Sequence, residues 1–160
     1  MSDFFRVAWL VVRKDLTVEV RSFEVLSTTL FFAVTVVLLF AFGLIKDGTP
    51  PEGVPAAILW IALAFSGTLA LGRTFERERQ ADTLRALLLA PADRPAIYLG
   101  KLGGICLLMA LVEAALVPMV GLLFQAPIFV NGAWLAALLA LGTLGFAAVG
   151  TLFARALPRP

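Results

Sequence analysis

The chain has 160 residues, 61% of them hydrophobic and 15% charged, with a net charge of +2 and a mean hydropathy of +0.96. That apolar share lies far above the usual range of a soluble domain and leaves room for one membrane domain and little else. So small a net charge gives no support to nucleic-acid binding.

Taken in chain order, residues 3–21 predict a surface helix. Phe5, Trp9, Val12, Leu16 and Val20 recur at spacings of three or four, with Arg6, Arg13 and Arg21 largely off that stripe. Such a helix can lie along the membrane interface with its apolar face at the acyl boundary. Two roles fit it equally: a simple anchor, or a lead-in helix that positions the first span against a partner. Residues 2–24 carry eight charges and the first long apolar run starts only at Val25. A retained span is therefore expected there, and not a cleaved leader.

Four apolar runs follow, at residues 25–45, 54–72, 102–124 and 128–154. The first, second and fourth contain no charged residue, and the third contains only Glu113. A helix rises about 1.5 Å per residue and the hydrocarbon core is about 30 Å thick, so each run is long enough to cross a bilayer. The expected fold is all-α: a polytopic membrane helix bundle of four transmembrane helices in one domain over residues 1–160.

The loop between the first two spans, Lys46-Asp47-Gly48-Thr49-Pro50-Pro51-Glu52-Gly53, is a breaker with no ligand constellation, and Pro55 suits the start of the next helix. Residues 73–101 form the longest polar stretch. Arg73 to Gln80 continues the second span in helical register with charges of both signs, including Glu76 and Glu78. Asp82, Leu84, Leu87 and Leu88 then suggest a short amphipathic helix, which Pro91 stops because proline lacks a backbone donor. A turn is expected at Asp93-Arg94-Pro95. The amphipathic piece either docks into a groove of a soluble protein or rests its leucines on the membrane surface.

Twelve of the thirteen Lys and Arg residues fall on alternate sides of the spans, leaving Lys46 alone on the other. Cytoplasmic loops carry the excess of Lys and Arg, so both termini and residues 73–101 are expected in the cytoplasm. Within the spans, Ala62, Ser66 and Ala70 form a row of small residues. Thr143, Ala147 and Thr151 form another beside Gly142, Gly145 and Gly150. Small residues let helix backbones approach closely in lipid, as in a compact bundle or an oligomer.

Glu113 sits mid-span, where a carboxylate costs on the order of 3 kcal/mol on insertion scales. It is expected to be neutral, paired or facing a wet cavity. Two readings stay open: a carboxylate lining a substrate or proton route, or a protonated group bonded to a neighbouring helix. Pro118, five residues on, is expected to kink the helix and free a carbonyl. Cys106 lies in the same span and, as the single cysteine, forms no intrachain disulfide; its plain reading is a small packing residue. There is no histidine, no cysteine pair, no acidic cluster in a span and no phosphate-binding glycine loop. Gly100-Lys101 lacks both the preceding glycine and a following Ser or Thr. No nucleotide site of that kind, no metal site and no nucleophile pair is expected from this chain, which reads as not an enzyme by itself.

Val12-Arg13-Lys14-Asp15-Leu16 and Glu19-Val20-Arg21-Ser22 resemble the start of the haem exporter protein B family. Leu71-Gly72-Arg73-Thr74-Phe75-Glu76, Asp82-Thr83-Leu84 and Leu87-Leu88-Leu89-Ala90-Pro91 resemble its cytoplasmic loop. Tyr98-Leu99-Gly100-Lys101, Pro118 and Gly142-Thr143-Leu144-Gly145-Phe146 match its third and fourth spans. The resemblance implies an ABC-2-like permease in a bacterial cytoplasmic (inner) membrane, working with a separate ABC ATPase subunit in cytochrome c maturation. ATP would then be used by the partner, with haem a substrate of the complex and no cofactor bound by this chain. Other cytochrome c maturation membrane proteins, and a homodimer or hetero-oligomer, are implied as partners. Glu76, Glu78, Asp82, Leu84, Leu87, Leu88 and Pro91 would form the ATPase-coupling segment, and Glu113 and Pro118 would border the transmembrane pathway. The family's loop has an acidic residue and a glycine where Ala81-Asp82 stands, and Arg85 replaces a common acid. Its members carry six spans, of which this sequence is expected to hold four. The remaining readings are a membrane adaptor that assembles other subunits and transports nothing, and an ABC-2 permease for another substrate.

Overall fold

The structure, a computed structural model, describes residues 2–45, 53–80, 94–127 and 130–156. Five helices are found there: α1 (Ser2–Ser22), α2 (Glu24–Leu44), α3 (Val54–Gln80), α4 (Arg94–Leu123) and α5 (Gly132–Ala156). Helices α2 to α5 are each long and apolar enough to cross a membrane. A helix satisfies its own backbone donors and acceptors, which hydrocarbon cannot do for it, so apolar runs of this length fold as helices in lipid. The expectation of an all-α membrane bundle therefore holds.

The spans alternate in direction and touch at matching depths. Leu71 of α3 lies against Gly150 of α5 at one end, and Trp60 lies against Gly142 further along. Tyr98 near the start of α4 donates its hydroxyl to the Ala148 carbonyl of α5 at 3.1 Å. The starts of α2 and α4 and the ends of α3 and α5 thus share one end of the bundle, which carries most of the charge.

Both small-residue rows lie inside. Ala62, Ser66 and Ala70 are buried on α3, and Thr143, Ala147 and Thr151 on α5. A third row on α2, Val25, Thr29, Ala33, Val37 and Ala41, repeats every four residues and faces the same core. Lipid tails are as apolar as leucine, so burial of leucine does little for association in a bilayer; close backbone packing replaces it. The large side chains accordingly point outward, as Phe31, Phe42, Leu122 and Leu141 do. Two hydroxyls inside the rows fold back on their own helices: Ser66 bonds the Ala62 carbonyl and Thr151 the Ala147 carbonyl, both at 2.5 Å.

Two boundaries differ from the sequence expectation and one agrees with it. Arg94 and Pro95 open α4 and do not form a turn, because a proline in the first helical turn has no amide bond to lose. The second span runs on without a break to Gln80, as the helical register of residues 73–80 predicts. The fourth starts at Gly132 and not at residue 128, with Leu135 N–H bonded to the Asn131 carbonyl in the first turn.

Candidate functional site

Helix α1 packs on the bundle, chiefly along α4. The face it turns inward carries Ala8, Val11, Val12, Asp15 and Glu19, rotated roughly a quarter turn from the apolar stripe read in the sequence. Phe5, Trp9 and Val20 of that stripe remain exposed. Contact with α4 is close because Gly100 sits at the crossing. A Cβ there would lie 2.6 Å from Val11 Cβ and 2.7 Å from the Ala8 carbonyl oxygen, which is backbone and cannot yield.

Two carboxylates on the inner face make the polar contacts. Asp15 receives hydrogen bonds from Lys101 Nζ at 3.1 and 2.9 Å, one to each oxygen. The Lys101 side chain is 3% exposed, so its charge is taken out of water and depends on this partner. Lys14 adds a second cation 2.9 Å from Asp15. One turn on, Glu19 Oε1 accepts the Leu26 N–H at 2.6 Å. Leu26 is in the first turn of α2, where amides have no intrahelical acceptor and the helix dipole favours negative charge. Glu19 thus caps the helix that follows its own. Between them Phe23 breaks the chain at φ 50°, a left-handed conformation that bulky residues rarely adopt. The cap across the break offsets part of that cost.

A cavity of about 40 Å³ lies at the junction of α1, α2, α3 and α4, lined among others by Asp15, Glu19, Leu26, Thr74 and Gly104. It has room for about two or three waters and is far below the size of an organic-ligand pocket.

In mid-span, Glu113 is buried and accepts the Thr143 hydroxyl of α5. Its partner is thus a hydroxyl on a neighbouring helix. Cys106 is half-buried on α4, two turns toward the charged end. Pro118 is exposed, and α4 continues through it to Leu123. Glu113 and Pro118 therefore sit on different faces of one helix. Of the coupling residues, Glu76 is exposed near the end of α3 and Glu78 follows it on the same helix. Asp82, Leu84, Leu87, Leu88 and Pro91 lie outside the described residues. Among the described residues no group of three or more acidic or cysteine side chains is placed to hold a metal ion.

Sequence reasoning missed the Asp15–Lys101 pair and the Glu19 cap. The available signal was the spacing of Ala8, Val11, Val12, Asp15 and Glu19, which puts small residues and two acids on one helical face. Thr143 was visible as a small packing residue, without its role as donor to Glu113.

The fold and these contacts define a multi-pass α-helical membrane protein whose spans are joined by small-residue packing and a few buried polar bonds. The chain belongs to the CcmB protein family, whose sequence profile matches residues 6–157. It is similar to proteins named Heme exporter protein B from Escherichia coli K12, Escherichia coli O157:H7 and Shigella flexneri, each 30% identical over 93 residues. The aligned stretch covers 58% of this chain and 42% of each relative, less than half of their length. No solved structure matches the chain.

Proposed function

We propose that this chain is the membrane permease subunit of an ABC transporter complex that acts in haem delivery for cytochrome c maturation. The observation that carries the reading is the family match over residues 6–157, which runs through all four spans and the segment between α3 and α4. The name of the relatives supports haem as the cargo. ATP is hydrolysed by a separate subunit, and the chain binds no cofactor of its own. It lies in the bacterial cytoplasmic membrane with both termini inside, in line with its twelve basic residues on one side and one on the other. Other cytochrome c maturation membrane proteins, and a second copy or a different permease, complete the assembly.

In this reading the ATPase docks on residues 76–91. Glu76, Glu78 and Asp82 give polar contacts to it, and Leu84, Leu87, Leu88 and Pro91 complete the coupling segment. The unbroken run of α3 to Gln80 favours this arrangement. A displacement at its charged end is carried along one rigid helix into the Ala62–Ser66–Ala70 row. Glu113 and Pro118 border the moving region. The Glu113–Thr143 bond joins α4 to α5 and is exchanged when those spans separate, while Pro118 leaves the Ala114 carbonyl without its regular donor.

A second reading, an adaptor that assembles other subunits and moves nothing, draws on the fact that Glu113 is closed off by Thr143. A pull-down of the chain in mild detergent with the cytochrome-maturation ATPase tests the first. Wild type binds and raises ATP hydrolysis; Leu84→Asp with Leu87→Asp abolishes both. Binding without any change in hydrolysis favours the adaptor, and no binding by wild type overturns the docking assignment.

A further inference from the structure

The fold sorts the charges of α1. By sequence the helix is mixed, with Arg6, Arg13, Lys14 and Arg21 among Asp3, Asp15 and Glu19. In the structure Asp15 and Glu19 turn inward, where Lys101 neutralises one and the start of α2 receives the other. Arg6, Arg13 and Arg21 are exposed on the opposite side. A shallow groove of about 280 Å³ runs along that side, lined by Trp9, Arg13, Leu16, Thr17, Val20 and Arg21. Trp9 and Val20 are 63% and 64% exposed, so aromatic and aliphatic surface alternates with guanidinium groups.

We propose that this outer face of α1 is a binding surface for anionic phospholipid, with Arg13 and Arg21 on the headgroup phosphates and Trp9 and Val20 among the first acyl carbons. Charge complementarity selects this occupant. No acid remains between the two arginines to repel a phosphate, and guanidinium bonds phosphate oxygens in a bidentate fashion. The adjoining apolar side chains suit the headgroup–acyl boundary, where tryptophan is favoured. A zwitterionic lipid offers the same phosphate next to a cation, which the arginines repel. The inference is independent of what the protein transports and of its ATPase.

The test is made on the full chain in vesicles of equal phosphatidylglycerol and phosphatidylcholine. The chain is extracted in mild detergent, and its co-purifying lipids are quantified by mass spectrometry. A basic residue near an anionic surface strengthens binding about fivefold, so with two arginines wild type retains phosphatidylglycerol with a preference of about 25-fold. Arg13→Gln with Arg21→Gln removes that preference while helicity stays unchanged. Should the double variant misfold, a high-salt wash of wild type decides instead: exposed charge pairs are screened, and the preference falls. Equal retention of the two lipids by wild type overturns the proposal, as expected if the arginines face an acidic protein. A preference that survives the substitutions in a folded variant, or that survives high salt, overturns it as well.

Discussion

A carboxyl group in the middle of a span costs on the order of 3 kcal/mol on insertion scales, and Glu113 offsets part of that by accepting the Thr143 hydroxyl. Thr143→Val removes the donor, keeps the shape and leaves the carboxyl buried without its partner, at a cost of about 1–3 kcal/mol. Glu113→Gln keeps an acceptor facing Thr143 and is expected to cost clearly less. Thermal unfolding in detergent, followed by circular dichroism, separates the two; equal losses would show that the hydrogen bond contributes nothing measurable. Glu113 stood out in the sequence because charge is rare in a span. Thr143 did not, because a threonine at a small-residue position packs just as well without a polar partner. Thr29 illustrates the opposite case. It is fully buried on α2 in an equivalent row, and its hydroxyl has no hydrogen-bond partner in the structure.

At the level of elements, α1 is held against α4 by the Asp15–Lys101 ion pair and by close approach at Gly100 and Gly103. Breaking a buried pair by removing one partner is strongly destabilising, by about 3–5 kcal/mol, because the other charge is left unpaired. Asp15→Asn, which takes the carboxylate away from the buried Lys101, should therefore lower stability markedly, and Lys101→Met should cost less, because Lys14 stays 2.9 Å from Asp15. Asp15→Asn combined with Lys101→Met should cost much less than the two single changes together, since neither charge then remains. A double-mutant cycle on thermal stability in detergent checks this, and strict additivity would mean that the pair is not formed in the membrane. The apolar stripe of α1 was legible, but its burial was not. Periodicity reports which side is most hydrophobic, and for a helix beside lipid that side has two possible neighbours. The bundle takes the side with Ala8, Val11 and Val12 because Gly100 lets only small residues come close.

For the whole molecule, alternation of the spans and the gathering of charge at one end make topology the first quantity to measure. Reporter fusions after residues 45, 80, 127 and 156 are expected to read outside, inside, outside and inside, in that order. An outside reading after residue 80 would reverse the orientation and remove residues 76–91 from reach of a cytoplasmic ATPase. The inside reading instead places the coupling segment, the Asp15–Lys101 pair and the arginine face of α1 on one side of the membrane.

What the sequence determined by itself is the solvent and the span count. Runs of about 20 apolar residues have few solutions in hydrocarbon, because every backbone amide must be bonded within its own helix. It also placed the small-residue rows of α3 and α5, since close approach in lipid demands small side chains whatever the neighbour. Tertiary structure alone decided the partners. Which face of α1 turns inward, that Asp15 meets Lys101 across 86 positions of chain, that Glu19 caps α2, and that Thr143 answers Glu113 all follow from how the helices are rotated against each other. Helix rotation is set by the sum of many small packing contacts between distant residues, and no local spacing in the chain encodes that sum.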